Sequence, residues 1–155
     1  MLVKDYDLGF TFEISDEFTE ITRDKYSVFD VNDEDTLHYF LYLDDESTEY
    51  PFAIVKGSKC DSVEEYEKTL QHEVDQFKEL YTDAVVSGII TLNDPEGRKV
   101  ERVSIDFQDG GFISVVYYTL VNGYIVSAST SIVQDGDEYE ASLYNIFNSI
   151  KEVEM

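Results

Sequence analysis

The second half of the chain constrains the fold most, because it contains four β-type segments separated by short turn sequences. We predict strands over Ala84–Leu92, Arg98–Phe107, Phe112–Val121 and Tyr124–Val133. The last two are joined by Asn122-Gly123, a dipeptide typical of two-residue type I′ hairpins. Because short turns join neighbouring strands in antiparallel order, this spacing predicts a four-stranded antiparallel meander.

Four further strand segments precede the meander. Apolar and polar residues alternate from Gly9 to Ile14, which predicts a strand with one buried face. A polar turn separates Tyr26–Val31 from Thr36–Leu43, which predicts that these two segments form a hairpin. Tyr50 to Val55 contains Pro51, which cannot donate a ladder hydrogen bond. We therefore expect that segment to be an edge strand or to begin at the proline.

Two amphipathic helices complete the pattern. The first begins at Asp61 or Ser62, where Ser62 and Glu65 form a capping box. Its apolar residues recur at three- and four-residue steps: Val63, Tyr66, Leu70, Val74, Phe77 and Tyr81. The second begins near Asp137 and ends close to Lys151, and we expect it to close the core from the buried side of the sheet. Its apolar face comprises Tyr139, Leu143, Ile146, Phe147, Ile150 and Val153.

The order of elements predicts a single α+β domain spanning residues 1–155. In this fold, a central amphipathic helix and a C-terminal helix cover an antiparallel β-sheet with a four-stranded C-terminal meander. The length supports this interpretation, since 155 residues suffice to bury a substantial core without covalent staples. We find no repeat, low-complexity tract or proline-rich linker in the sequence.

The charge of the chain indicates which partners it can have. It carries 34 acidic and 11 basic side chains, a formal net charge of -23. Acidic residues outnumber basic ones by 22 to 7 in residues 1–80 and by 12 to 4 in residues 81–155, so the acidity is not confined to a tail. Such a field repels phosphate backbones and anionic lipids, so we expect no nucleic-acid or membrane partner. It is either a solubilising surface or a complement to a basic protein.

The single cysteine and the N-terminal residues favour a cytoplasmic location. Cys60 is the only cysteine, so the chain forms no internal disulfide, and a reducing compartment is expected. Acidic residues stand among the first seven positions, where a secretory signal would place apolar residues.

No catalytic, cofactor-binding or metal-binding residue set is recognised in the sequence. His38 and His72 are the only imidazoles, and we expect structural or surface roles for both. Cys60 precedes the central helix, and we interpret it as a small packed thiol. The acidic stretch 30–35 lacks the glycine and glutamate of an EF-hand, which favours a solvated turn. Phosphate-binding glycine motifs are absent.

Two groups of residues are candidates for a partner-binding surface. Tyrosines of the meander would suit protein contact if they lie on an exposed sheet face, and an acidic stretch in the first half adds charge. The candidates are Tyr117, Tyr118, Tyr124, Asp44, Asp45 and Glu46. The alternative is that these tyrosines simply alternate between core and solvated positions.

The order of elements also resembles the PsbP fold family, which includes the photosystem extrinsic subunit, a Ran-binding nuclear import factor and many small bacterial proteins. The resemblance lies in Gly9-Phe10-Thr11-Phe12-Glu13-Ile14-Ser15, in the helix from Ser62 into the Val85–Leu92 strand, and in Phe147-Asn148-Ser149-Ile150. It implies a scaffold used mainly for protein binding, including adaptors and effector chaperones, without a shared active site.

Three functional hypotheses follow. The first is a non-enzymatic, cytoplasmic module that binds another, basic protein, with a homodimer left open as its own assembly. The second is an immunity or antitoxin protein that masks a basic, nucleic-acid-cleaving partner. The third is a small-ligand-binding or hydrolytic protein with a pocket between helix and sheet.

Overall fold

The part of the chain that the structure describes forms two antiparallel β-sheets and two helices. The computed structural model describes residues 2–5, 9–14, 16, 18–22, 24, 36–42, 52–93, 98–107, 112–133 and 144–152. The helices are α1 (Val63–Leu80) and α2 (residues 144–148). The strands are β1 (Leu2–Asp5), β2 (Phe10–Glu13), β3 (Phe18–Ile21), β4 (Thr36–Tyr42), β5 (Phe52–Lys59), β6 (Val85–Val86), β7 (Ile90–Asn93), β8 (Lys99–Phe107), β9 (Phe112–Val121), β10 (Tyr124–Val133) and β11 (Lys151–Glu152).

The larger sheet has the order β3-β4-β5-β10-β9-β8-β6, and β7 also pairs with β8. The smaller sheet has the order β1-β2-β11. Each described pairing is antiparallel. The predicted α+β fold and its antiparallel meander are therefore confirmed.

The larger sheet is covered on both faces. Successive residues of a strand point to opposite faces, and in β9 this sends Tyr117 to one side and Tyr118 to the other. Tyr117 packs with the smaller sheet and α2, and its ring centroid lies 5.8 Å from that of Phe147. Tyr118 packs beneath α1 with Tyr66 and Leu70. The two helices cover the sheet as predicted, but on opposite faces and not on one buried side, because strands with apolar residues on both faces need a layer on each.

The start of α1 follows the capping prediction with one change. Ser62 is the N-cap, and its hydroxyl accepts a hydrogen bond from the Glu65 N–H at 3.1 Å. The Glu65 carboxylate accepts from the N–H of Asp61 at 3.1 Å, whereas a standard capping box would use the N–H of Ser62. Both groups still satisfy backbone donors at the helix start. The helix buries Tyr66, Leu70 and Val74 against the sheet.

The turn between β9 and β10 is the predicted hairpin. Asn122 and Gly123 both have positive φ, at 52° and 76°. A type I′ turn requires positive φ at both central positions, which explains the Asn-Gly pair. The register of β9 and β10 runs without interruption from Tyr124 opposite Val121 to Val133 opposite Phe112.

The predicted strand Ala84–Leu92 is wrong as a single element. Its place is taken by β6 and β7, which pair with different parts of β8. Val86 faces Ile105 and Ile90 faces Arg102, so three residues of the edge stand opposite two residues of β8. This extra residue is a β-bulge, a feature that apolar periodicity does not reveal.

Several other predictions need correction. The four-residue strands β1 and β3 were not predicted. β5 begins after Pro51 but lies between β4 and β10, so the edge alternative for this segment is wrong. The last helix ends before Lys151, which belongs to β11. Three predictions concern residues outside the described ranges: the strand Tyr26–Val31, the acidic stretch 30–35 and the start of the last helix near Asp137.

Candidate functional site

The charged side chains that are exposed along α1 and in the residues flanking it are mostly acidic. Tyr66, Leu70 and Val74 form the buried stripe. Thr69, Glu73 and Phe77 are half-buried beside it, and the other helix positions face water. Between residues 61 and 83, two exposed side chains are basic, Lys68 and Lys78, and seven are acidic: Asp61, Glu64, Glu65, Glu67, Asp75, Glu79 and Asp83. Periodicity alone was enough to place most of these residues on the solvent side.

Ion pairs made by two lysines reduce this excess only in part. The Lys68 ammonium lies 3.2 Å from a Glu64 carboxylate oxygen, one helical turn away. The Lys99 ammonium lies 3.6 Å from Glu67 and 3.8 Å from Glu101. Since exposed ion pairs contribute little to stability, the first is mainly a local neutralisation of charge.

The end of α1 leads into an exposed edge of the larger sheet. The Ala84 N–H donates to the Tyr81 carbonyl at 3.1 Å, which turns the chain from the helix into β6. At the bulge, the Ser87 N–H donates to the Ser104 carbonyl and the Ser87 hydroxyl accepts from the Ser104 N–H. The exposed fractions of Val85 and Ile90 are 56% and 46%. This edge was not singled out from the sequence, although its uncharged residues 84–93 were visible there.

The tyrosines predicted to form a partner surface do not do so as a group. Tyr117 and Tyr118 are buried, with exposed fractions of 3% and 2%, so this part of the prediction is wrong. The physical reason is that the sheet is covered on both faces. Tyr124 is half-buried and packs against the core shared with the smaller sheet. The acidic candidates Asp44, Asp45 and Glu46 lie outside the described residues.

His38 is held between two carboxylates from different strands. Its Nδ1 lies 2.6 Å from Oε1 of Glu20, and its Nε2 lies 3.0 Å from Oδ2 of Asp5. The ring also stacks on Phe40 and meets Phe12 edge-on. Because ionised carboxylates only accept hydrogen bonds, this geometry favours the imidazolium, with both ring nitrogens donating.

The pKa of His38 reflects two opposing effects. Burial is the largest single influence and by itself lowers the pKa, since it disfavours the charged ring. Hydrogen bonds and charge attraction from Glu20 and then Asp5 act in the opposite direction, and together they raise the pKa above its ordinary value. A histidine in this state serves as an ionic bridge, and both nitrogens that a general base would use are occupied.

Cys60 and His72, the other two side chains considered for catalysis, are not part of the His38 cluster. Cys60 has an exposed fraction of 2%, packs beneath α1 and donates its thiol hydrogen to the Ser62 carbonyl at 3.2 Å. This placement agrees with a small packed thiol. His72 is exposed on α1.

A buried polar group beneath α1 was missed in the sequence. Glu101 has an exposed fraction of 2% and accepts a hydrogen bond from the Thr91 hydroxyl at 2.6 Å. Burial, followed by the charge of Glu101, raises the pKa of Tyr66. Burial and then Glu73 raise the pKa of Tyr118, so both phenols stay neutral at physiological pH. The period-two pattern of a strand could have placed Glu101 on the same face as Val103. It could not have shown that this face is buried.

Cavities next to α1 are small or open. One of about 60 Å³ lies between the helix and the sheet, lined in part by Thr69, Glu73 and Tyr118. Another of about 190 Å³ is mainly apolar and is lined by Val63, Tyr66, Arg98, Lys99 and Leu120. Neither is lined by His38 or Cys60, whereas a cavity lined by one of them would have supported the hydrolase hypothesis.

A third cavity, of about 300 Å³, lies beside the smaller sheet and has a largely polar lining that includes Thr11, Asn148 and Lys151. Within the described ranges, no group of three or more histidine, cysteine or acidic side chains is arranged to hold a metal ion. None of the helices in the described part of the chain is long and apolar enough to cross a bilayer.

Comparison with known structures supports a distant PsbP-like fold. The solution structure of cyanobacterial PsbP (CyanoP) from Synechocystis sp. PCC 6803 matches with a TM-score of 0.66 and 10% identity, over 98% of this chain and 91% of that one. The crystal structure of LpqN, involved in cell envelope biogenesis of Mycobacterium tuberculosis, matches with a TM-score of 0.64 and 11% identity, over 94% and 83% of the two chains. At such low identity these similarities establish the fold alone.

No protein-family model and no curated protein sequence matches the chain.

Proposed function

We propose that this protein is a non-enzymatic, cytoplasmic binding module that recognises a basic protein. The observation that carries the proposal is the charge of residues 61–83, where seven exposed acidic side chains accompany two exposed lysines, and Lys99 of β8 is a further exposed lysine beside Glu67. The net charge of -23 extends the same sign over the whole chain. Opposite charge on a partner accelerates encounter and favours that partner over others.

The surroundings of the reactive side chains support binding rather than catalysis. His38 is engaged at both nitrogens, and Cys60 is buried with its thiol bonded to a carbonyl. The PsbP-like fold agrees with this proposal, because the resemblance implies a protein-binding scaffold. An immunity protein would be a special case in which the basic partner is a toxin, and a basic toxin encoded by a neighbouring gene would support it.

Affinity capture from the source cells at moderate salt tests the proposal. The wild-type protein should retain basic proteins reproducibly. A variant with Glu64→Gln, Asp75→Asn and Glu79→Gln should retain them several-fold less well, since it removes three acidic charges from the exposed face of α1.

The matched control carries Glu13→Gln, Asp24→Asn and Glu152→Gln, which remove the same charge from exposed positions elsewhere. This control should retain the partner better than the α1 variant. Equal loss in both variants would contradict a recognition surface on α1. If the wild-type protein retained no basic protein, the proposed function itself would be wrong.

A further inference from the structure

We propose that the sheet edge formed by residues 84–93 binds an extended, basic polypeptide segment by strand addition. This edge, called the β6–β7 edge below, comprises β6, the bulge and β7. The proposal rests on the proposed function and specifies where and in what conformation a basic partner docks. Strand addition uses backbone hydrogen bonds for affinity and alternate side chains for specificity.

Among the described strands, β6 and β7 form one end of the larger sheet. Both strands pair with β8, and within the described part of the chain no strand pairs with their far side. The Ser87 N–H donates to the Ser104 carbonyl, so the next pair, Val86 opposite Ile105, is the kind whose backbone groups point away from β8. The N–H and C=O of Val86 therefore face this far side.

The side chains of this edge suit an apolar segment. Val85 lies opposite Asp106 and Ile90 lies opposite Arg102, on the face of β8 turned away from α1. Their exposed fractions of 56% and 46% are high for β-branched residues of a sheet. A strand placed beside them would bury these side chains, and cross-strand pairs of this kind stabilise antiparallel sheets.

The edge also lacks the charges that usually discourage pairing. Residues 84–93 contain no charged side chain, although charged residues make up 29% of the chain. The described strand at the opposite end of the sheet, β3, contains the partly exposed Glu20. Natural edge strands often carry charges that prevent pairing with other chains. An uncharged, exposed edge in so acidic a protein is consistent with pairing as its role.

Charge identifies the occupant as a basic segment rather than a second copy. In the helix end and turn that precede the edge, the exposed Glu79 and Asp83 outnumber the exposed Lys78. On the strand beside the edge, Asp106 lies opposite Val85 and Arg102 lies opposite Ile90, so the acids here outnumber the basic side chains by three to two. A second copy would bring the same acids and another net charge of -23 to this place. An extended segment with alternating apolar residues and terminal lysines or arginines satisfies both the apolar edge and the acids beside it.

Fluorescence anisotropy with synthetic peptides tests this proposal. The probe is a labelled peptide of alternating valine and threonine with two lysines at each end. We expect measurable binding to the wild-type protein, and at least about tenfold weaker binding when the valines are N-methylated. The methylated probe keeps every charge and side chain but loses backbone donors, so it separates strand addition from simple attraction. A third probe with glutamates in place of lysines should not bind.

A protein variant gives an independent measurement. Val85→Ser with Ile90→Ser removes both exposed apolar side chains without changing charge, and should weaken binding of the lysine probe at least about tenfold. The control is Leu2→Ser, an exposed apolar residue on β1 with an exposed fraction of 54%, which should leave binding unchanged. Circular dichroism checks that each variant is folded.

The remaining outcomes separate the two proposals. If the methylated probe and the double-serine variant bind as well as their parents, the attraction is only electrostatic and the edge proposal is overturned. The edge proposal is also overturned if the wild-type protein retains basic proteins from cells but does not bind the lysine probe. A dimer in sedimentation equilibrium that the double-serine variant dissociates would show that the occupant is a second copy. Failure to retain any basic protein contradicts the proposed function instead.

Discussion

At the scale of single residues, His38 connects the two sheets. Asp5 belongs to β1 of the smaller sheet, whereas Glu20 and His38 belong to β3 and β4 of the larger one. The exposed side-chain fractions of His38 and Asp5 are only 14% and 11%, so their interaction is partly shielded from water. The bridge should therefore contribute to the docking of the smaller sheet while His38 is protonated.

Replacing His38→Gln should lower the free energy of unfolding by about 1–3 kcal/mol at about pH 6, because two carboxylates lose a charged donor. The folded-state pKa of His38 is raised above its value in the unfolded chain. The stabilisation is then fully present below the unfolded pKa of about 6.5 and is lost as pH rises through the folded pKa. Urea denaturation at several pH values above the carboxylate range measures this difference.

The control for this prediction is His72→Gln, which changes an exposed histidine on α1. It should leave the free energy of unfolding nearly unchanged at each pH. A His38→Gln effect that grows between neutral and alkaline pH would contradict an ionic bridge.

The sequence could assign His38 to a strand, but not identify its partners. Glu20 and Asp5 are 18 and 33 residues away, and they meet His38 only because β4 pairs with β3 and the smaller sheet packs alongside. The sequence also could not predict that Tyr117 and Tyr118 are both buried, for a related reason. Period-two alternation separates the two faces of a strand, but it does not show that both faces are covered.

At the scale of elements, local sequence determines the ends of α1 and the β9–β10 turn. Ser62 caps the helix as predicted, because its hydroxyl satisfies a backbone donor that has no partner within the helix. The Ser62→Ala change should lower the free energy of unfolding by about 1 kcal/mol. Thermal or urea denaturation measures the loss, and Ser58→Ala, at an exposed position of β5, should change it far less. Equal effects of both changes would contradict the capping role.

The hairpin turn gives a second test at this scale. Gly123 has a φ of 76°, a conformation that costs a residue with a side chain about 1–2 kcal/mol. We therefore expect Gly123→Ala to lower the free energy of unfolding by about that amount. Gly88→Ala is the matched control, since an added Cβ there meets no atom within 4 Å and φ is not in the left-handed region. Similar losses for both glycines in urea denaturation would count against the assigned turn.

The elements that the sequence missed are those that depend on pairing. The bulge between β6 and β7 arises because Ser87 uses its side chain to accept a bond from Ser104. The run of apolar residues around it predicts one continuous strand, since composition does not reveal a register shift. This difference matters for function, because the bulge lies in the edge to which we assign partner binding.

At the scale of the whole molecule, charge is the property from which the proposed function is inferred. The PsbP-like fold explains how the chain buries its apolar residues, but it leaves the partner unspecified. The partner class is inferred from a net charge of -23, from the exposed acids around α1 and from the uncharged β6–β7 edge. Composition alone predicted the sign of the partner's charge, whereas the docking edge required the pairing of β6 and β7 with β8.

The salt dependence of association tests this central claim most directly. The rate at which wild-type protein associates with a captured basic partner should fall at least about tenfold as salt rises from about 0.05 to about 0.5 M, because added ions screen the attraction between opposite charges. Stopped-flow fluorescence measures this rate. An association rate that does not change with salt would contradict recognition of a basic protein through opposite charge.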